Sequence, residues 1–356
     1  MARTIALGHR WIGPGFPTFV IAEVGCNHEN DFVRAREMVM QAAEAGADAV
    51  KLQSFTPAML VTRDAPKFWD IPGPGRTQYE EFVDAQPRFS SEQYQELMAL
   101  AVSRDILLFS TPSDEVWTNR LDELGVQLFK IASMDITHLG LLRHVARKGK
   151  PVILSTGAST LDEIRDAVVA IEREGNHNIV LLHCISTYPT PPSGVHLRMM
   201  VHLAAEFPHC LTGYSDHTRP EGPLLVPTLA VAAGACVIEK HVTFDRLRPG
   251  YDHEISADYA GLARMVSEFR EVEQILGQSV KAPTAAEDRT RRLGRRSLVA
   301  AVTIPKGARI ASAMLAVKRP GTGIEPKFLD QVIGKVACRN IPEDHVLAWD
   351  ALEECR

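Results

Sequence analysis

Between Gly213 and Ser256 the chain gathers three histidines (His217, His241, His253), four carboxylates (Asp216, Glu239, Asp245, Asp252) and Lys240 into GYSDHT and EKHVTFDRLRPGYDHEIS. Burying so many titratable groups unpaired is costly, so a bound metal ion or anionic ligand is the simpler account. His217 and His241 follow the last two of eight predicted strands. Neighbouring strands lie roughly 4.8 Å apart, so both imidazoles can reach one ion although 24 residues separate them in sequence. Two histidines with open positions suit Mn²⁺, Fe²⁺, Co²⁺ or Zn²⁺, and Asp216, Glu239 or Asp252 would add a ligand or orient an imidazole. The competing reading is a pair of satisfied polar residues at a rim.

Lys51 and Lys130 sit inside the apolar runs AVKLQ and LFKIAS, where an ammonium group is buried and therefore paired. With the hydroxyls of Ser133, Ser155, Ser186 and Ser215 they would cradle a phosphate and a carboxylate; otherwise they pair with Glu23 or Glu239. Glu23, in IAEVGCNH, is placed for proton transfer or for orienting Asn27 or a lysine. Tyr188, in STYPTP, either stacks on a sugar or anchors a turn.

Presenting these groups together requires strands that end at one place. Apolar runs at Phe19–Val24, Ala49–Leu52, Ile106–Phe109, Leu128–Ile131, Val152–Leu154, Ile179–Leu182, Cys210–Gly213 and Cys236–Ile238 alternate with amphipathic helical stretches. Asp31, Ser90, Ser113 and Thr160 are the expected N-caps. Eight β/α units before Gly277 predict an α/β fold, a (β/α)8 TIM barrel, whose active site collects at the C-terminal strand ends. Those ends carry Glu23, Lys51 and Gln53, Ser110 and Thr111, Lys130 and Ser133, Ser155 and Thr156, His183 and Ser186, Ser215–His217, and Glu239–His241. No G-x-G-x-x-G follows the first strand, which counts against dinucleotide binding. A Pro/Gly-rich insertion at 57–87 delays the second helix.

The chain is 45% hydrophobic and 23% charged, with net charge -5 and pI near 6.2. These values argue against a nucleic-acid or polybasic membrane surface. The six cysteines show no C-x-x-C spacing, and with no apolar leader or membrane span the expected location is cytoplasmic. Residues 1–277 form the expected catalytic barrel, 278–296 a polar linker, and 297–356 a second small domain. That tail echoes itself: TIPKGARIASAML (303–315) aligns with NIPEDHVLAWDAL (340–352) at a spacing of 37 residues. So small a core needs a docking partner.

The blocks IAEVGCNHEND, AGADAVKLQSF, KIASMDI, ILSTGAS, LLHCISTYPTP, GYSDHT and IEKHVTFDRLRPGYDH, in that order, resemble the sialic acid synthase family, which includes legionaminic and pseudaminic acid synthases. The tail resembles that family's antifreeze-like (SAF, β-clip type) domain. The resemblance implies condensation of phosphoenolpyruvate with an open-chain N-acetylmannosamine-type sugar and release of phosphate. It implies a divalent metal on His217 and His241, usually Mn²⁺ with Mg²⁺ or Co²⁺ as alternatives, polarising the sugar aldehyde. Lys51, Lys130, Ser133, Ser155, Ser186 and Ser215 would hold phosphoenolpyruvate, with Glu23 and Asp252 as catalytic carboxylates. Gln53, Thr111, Tyr188, Asp252 and His253 would line the sugar side, and Arg319 would reach the neighbouring active site of a domain-swapped homodimer.

Four departures stand out: Ser186 where some relatives carry Asn, Tyr251 for a common Pro, Asn30 at a frequent Gly position, and Asp344 where the first tail repeat has Gly307. Open alternatives are legionaminic or pseudaminic acid synthesis from a 2,4-diacetamido-2,4,6-trideoxyhexose, a metal-dependent aldolase or hydrolase, and a non-catalytic sugar- or ice-binding protein.

Overall fold

The computed structural model describes residues 4–8, 10–69, 73 and 75–353. These divide into two compact units at Gly277/Gln278. In the first, the strands β1 (Phe19–Gly25), β2 (Ala49–Ser54), β3 (Leu107–Pro112), β4 (Phe129–Ile131), β5 (Val152–Ser155), β6 (Ile179–Cys184), β7 (Leu211–Asp216) and β8 (Val237–His241) form one parallel sheet. Its order is β3-β2-β1-β8-β7-β6-β5-β4, an α/β barrel closed between β3 and β4 by side-chain packing. Each strand is followed by its helix: α1 (Phe32–Glu44), α2 (Ser91–Ser103), α3 (Glu115–Glu123), α4 (Leu139–Ala146), α5 (Leu161–Glu172), α6 (Arg198–Glu206), α7 (Leu225–Ala232) and α8 (Tyr259–Leu276). A short antiparallel hairpin, Ile5–Leu7 with Arg10–Ile12, precedes the barrel.

The strands are covered on both faces, which is why they read as continuous apolar runs. Parity then assigns each residue a side. Phe19 and Ile21 of β1, Ala49 of β2, Phe109 of β3 and Val237 of β8 fall in the interior core. Val20, Ala22, Val24, Val50, Leu52, Leu108 and Ile238 pack outward under the helices. Continuing the inward parity toward the C-terminal ends gives Glu23, Lys51, Gln53, Thr111, Glu239 and His241, so an apolar floor is topped by an ionised layer. Register aligns that layer: Glu23 lies opposite Lys51 and His241.

The strands run past the predicted ends. β1 reaches Gly25, β2 Ser54, β6 Cys184 and β7 Asp216. The polar residues taken as loop starts are themselves strand positions, satisfied across the barrel rather than by water. Asp31 caps α1 through Val33 N and Arg34 N. Ser90 and Thr160 form capping boxes with Gln93 and Glu163. The predicted cap Ser113 is displaced by Asp114, whose carboxylate accepts from Trp117 N at 2.8 Å. The 57–87 insertion holds two short helices, Pro57–Leu60 and Gln78–Ala85.

Parity also overturns one expectation. Asp216 and Lys240 point out of the barrel, so Asp216 is no ligand partner for His217. The two form a fully buried ion pair at 2.6 Å. Lys240 Nζ also donates to Thr218 O, and Asp216 accepts from Tyr214 OH and Thr218 Oγ1.

The second unit opens with a short helix, Asp288–Gly294, inside the stretch expected to be a plain linker. Beyond it lie two antiparallel pairs, Ser297–Ala300 with Leu315–Lys318 and Val336–Ala337 with Leu352–Glu353. The 37-residue echo becomes a pseudo-twofold. Ile304 and Ile341 exchange both backbone hydrogen bonds, Gly307 N donates to Ala337 O, and Asp344 N donates to Ala300 O. Gly307 and Asp344 both take positive φ, +81° and +65°.

Removing one member of a buried pair leaves an uncompensated charge, at a cost of about 3–5 kcal/mol. Lys240→Met should therefore lower thermal stability by several degrees, read by calorimetry. A variant as stable as wild type would show that Asp216 is adequately held by its neutral donors.

Candidate active site

The inward layer bounds a cavity of about 230 Å³, lined by Glu23, Lys51, Gln53, Thr111, Lys130, Ser133, Ser155, Tyr188, Ser215, His217 and His241 among others. Eight strands that are far apart in sequence therefore bring eleven of the expected residues to one space. At its centre Lys51 Nζ lies 2.7 Å from Glu23 Oε2 and 3.8 Å from Glu239 Oε2, and donates to Thr111 Oγ1 at 3.0 Å. Gln53 Nε2 donates to Glu23 Oε1 at 3.0 Å, and Ser215 Oγ to Glu239 Oε1 at 2.9 Å. Lys130 Nζ donates to the Ile131 carbonyl at 3.1 Å, which occupies one of its three protons.

Burial dominates the electrostatics and neighbours set its outcome. Burial pushes the Glu23 carboxyl up to about 7, against the pull of Lys51 and with help from Glu239. Burial works against the Lys51 ammonium as well, but Glu23 and Glu239 outweigh it and the pKa rises. Lys130 is lowered by burial, partly offset by Glu239. For Glu239 burial is outweighed by Lys130 and Lys51, and the pKa falls. Two ammonium groups thus face one firmly ionised carboxylate and one poised near neutrality, so the cavity carries spare positive charge for an anion.

The two imidazoles stand side by side with ring centroids 5.5 Å apart. His217 Nδ1 donates to the Ile185 carbonyl at 2.8 Å, which assigns a proton to Nδ1; burial works against a second proton on the ring, but Cys184, that carbonyl and Asp216 outweigh it and the pKa rises. His241 Nδ1 has no hydrogen-bond partner among the described residues and lies 3.4 Å from Asp252 Oδ2. Burial, reinforced by His217 and the lysines, holds His241 neutral, as a metal ligand must be. Among the described residues no three or more His, Cys, Asp or Glu side chains close into a metal cage. What exists is an open pair, suited to an ion that keeps positions free.

The loops complete the walls. Asn27 Nδ2 donates to Val242 O and Ser256 Oγ and its Oδ1 accepts from Asp252 N, tying the β1 loop to the β8 loop. Gly157 N donates to Ser133 Oγ at 2.9 Å. A Cβ at Gly157 would collide with Ser186 Oγ, Ser133 Oγ and Cys184 Sγ, so glycine is needed there. Ser186 Oγ, beside them, is buried without a hydrogen-bond partner among the described residues.

Besides Ser186, three expected residues lie outside that lining. Asp252 lines an adjoining cavity of about 220 Å³ that shares Gln53, Tyr188 and His241 with the first. His253 does not line either space; its ring nitrogens face Thr243 Oγ1 at 2.8 Å and Glu29 Oε1 at 3.2 Å, so it shapes the loop. Arg319 is an exposed residue of the second unit. His183 also turns outward, to Val195 O. The inner residue that sequence reasoning assigned to the core is Cys184, which lies 3.6 Å from Ser133 Oγ and 3.9 Å from His217 Nδ1; even parity with Leu182 was the available signal. The aromatic wall of the adjoining cavity, Phe55 just after β2 with Phe68, Trp69 and Phe82 of the insertion, had no periodic signature to betray it.

Comparison with known proteins bears on the family and the fold. The NeuB family model matches residues 38–281 and the SAF domain model residues 295–353. An uncharacterised protein of Methanocaldococcus jannaschii is 40% identical over 98% of both chains. An N,N'-diacetyllegionaminic acid synthase of Legionella pneumophila is 39% identical over 96% of both. The crystal structure of an N-acetylneuraminic acid synthetase from Leptospira borgpetersenii, in complex with citrate, superposes with a TM-score of 0.73 at 36% identity, covering 81% of this chain and 95% of that one.

The Glu23 carboxyl should titrate near pH 7, visible as a protonated-carboxyl infrared band absent from Glu23→Gln. Its folded pKa lies above the unfolded 4.5, so the folded state holds the proton more tightly. The stability this contributes is full below pH 4.5 and lost as pH rises through 7. A band that titrates near 4.5 would overturn the assignment.

Proposed function

The chain belongs to the NeuB family, and on that premise we propose that its barrel condenses phosphoenolpyruvate with the aldehyde of an N-acetylated amino sugar, releasing phosphate to give a nonulosonic (sialic-type) acid. One observation carries the reading: two buried lysines, a carboxyl poised near neutrality and two adjacent imidazoles share one cavity. An aldolase or hydrolase would use the imidazoles but gives no reason for both ammonium groups.

The residues divide the work. Lys51 and Lys130 neutralise the phosphate and carboxylate of phosphoenolpyruvate, and Ser133, Ser155, Ser186 and Ser215 supply hydroxyl donors that fix its approach. His217, which would give up its Nε2 proton on binding while Nδ1 stays on the Ile185 carbonyl, and the neutral His241 ring would hold a divalent ion, Mn²⁺ in first place with Mg²⁺ or Co²⁺ as alternatives, with Asp252 beside His241. When bound, such an ion supplies Lewis-acid polarisation of the sugar's carbonyl oxygen. C3 of phosphoenolpyruvate then bonds to the aldehyde carbon, water adds at C2, and phosphate leaves as the C2–O bond breaks. With its pKa near the working pH, Glu23 takes the proton that the attacking water gives up. Gln53, Thr111 and Tyr188 flank the sugar. The same proposal takes the active form to be a cytoplasmic homodimer in which Arg319 serves a second copy.

The test is phosphate release from phosphoenolpyruvate with Mn²⁺ and acetamido aldehydes, beside a chelated control. Release should require both sugar and ion. His217→Ala should keep the thermal transition of the wild type while losing Mn²⁺ binding by calorimetry and turnover by about 10²-fold or more. Full Mn²⁺-dependent turnover in that variant would remove His217 from the metal assignment.

A further inference from the structure

Directly behind the imidazole pair, on the outer face of the barrel, sits an ion pair that the proposed reaction does not use. Asp216 and Lys240 immediately precede His217 and His241 and lie side by side in the β7–β8 ladder. Both are fully buried, and neither lines the inner or the adjoining cavity. The Asp216 carboxylate accepts from Thr218 N at 3.2 Å and from Thr218 Oγ1 at 2.9 Å, closing a turn around His217. Tyr214 OH, at 2.9 Å, holds the same carboxylate from within β7. From β8, Lys240 Nζ donates to Asp216 Oδ2 and to the Thr218 carbonyl, both at 2.6 Å. The residue before His241 therefore grips both residues that flank His217. Thr190 N and Ala257 N fix the carbonyls of the two histidines themselves, at 2.9 Å and 2.8 Å.

We infer that Asp216 and Lys240 are positioning residues, which set the separation and orientation of His217 and His241 from behind the site. The inference rests on the proposed reading of those imidazoles as holding a divalent ion. Imidazole nitrogens bind such ions over a narrow range, about 2.0–2.1 Å for Zn²⁺, so a small shift of the His217 turn against β8 breaks one of the two bonds. An open pair has no cage to restore the geometry, since among the described residues no group of three or more His, Cys, Asp or Glu could hold an ion. The backbone must therefore fix the spacing. Stability alone gives no reason for an ion pair at this place. Desolvating two charges costs enough that an apolar pair of similar volume is often as stable or more so. What the ion pair adds is a staple between two neighbouring turns, because only a directed hydrogen bond from β8 can hold the Thr218 carbonyl.

The experiment measures Mn²⁺ binding by calorimetry and the visible absorption of the Co²⁺-loaded protein, with phosphoenolpyruvate affinity taken alongside without metal. It compares the wild type, Lys240→Met, and the paired change Asp216→Asn with Lys240→Met. Lys240→Met should weaken Mn²⁺ binding by about 10- to 100-fold, the effect of removing a group that orients a metal ligand, and should alter the Co²⁺ bands. The paired change leaves no lone buried charge and should regain thermal stability. Its Mn²⁺ binding should nevertheless stay weak, because the Thr218 carbonyl has lost its ammonium partner. Affinity for phosphoenolpyruvate should keep its wild-type value in both variants. Wild-type Mn²⁺ affinity and Co²⁺ bands in the paired variant overturn the inference and leave the metal reading standing: the pair then only stabilises the barrel. An equal loss for phosphoenolpyruvate and Mn²⁺ also overturns it, since the whole strand end has then loosened. Should Lys240→Met not fold, the paired change decides alone. No Mn²⁺ binding by the wild type overturns the metal reading and the inference together.

Discussion

The barrel's functional end depends on placing like charges near one another without water. Lys51, Lys130, Glu23 and Glu239 are each at most 3% exposed, and each alone would be intolerable there. They are held because neighbouring parallel strands, in register, put a carboxylate opposite an ammonium: Glu23 lies across from Lys51, and Glu239 reaches both lysines electrostatically. The balance is incomplete by design of the layer. With Glu23 shifted toward neutrality, the lysines keep charge that an anionic ligand would complete. A fully matched set would be more comfortable and would have nothing to offer a substrate.

The adjoining cavity is built from different material. The inner layer comes from strands, whose backbone positions are fixed by seven parallel ladders. Much of the wall of the adjoining cavity comes from the insertion after β2, which is tied to the barrel by side-chain bonds such as Tyr251 to Asp84 and Asn30 Nδ2 to Asp84 O. The ion cluster takes none of its charged members from that insertion.

This division also explains what was legible in the sequence. The eight units, the capping boxes and the inward polar ends follow from local patterns, and eleven of the expected site residues converge. Sequence position near a strand end does not reveal parity, however. Asp216 and His183 sit one residue from true lining positions and face the opposite side, where Asp216 holds Lys240. His253 sits next to Asp252 but spends one nitrogen on Thr243 of its own loop and the other on Glu29 of the β1 loop. The helix cap moved from Ser113 to Asp114 because both residues are competent and the chain's exit angle decides between them. The insertion's aromatics carry no period, so their convergence depends wholly on tertiary packing.

The tail and the β8 loop make the same point through backbone conformation. Asn30, Tyr251 and Asp344, three of the four departures from the resembled family, all have positive φ: +58°, +51° and +65°. For Asp344 the pseudo-twofold explains it, since Gly307 fills the equivalent turn in the other repeat and an aspartate tolerates that region better than most residues. Asn30 likewise replaces glycine with the residue type nearest to it in freedom. Tyr251 is different. The family's common proline at this position is locked near φ −65° and cannot take +51°. The positive φ of Tyr251 sets the path of the β8 loop just before Asp252, the carboxylate 3.4 Å from His241 Nδ1, and its hydroxyl is tied to Asp84 Oδ2 of the insertion. One turn therefore links the surroundings of the imidazole pair to the edge of the adjoining cavity.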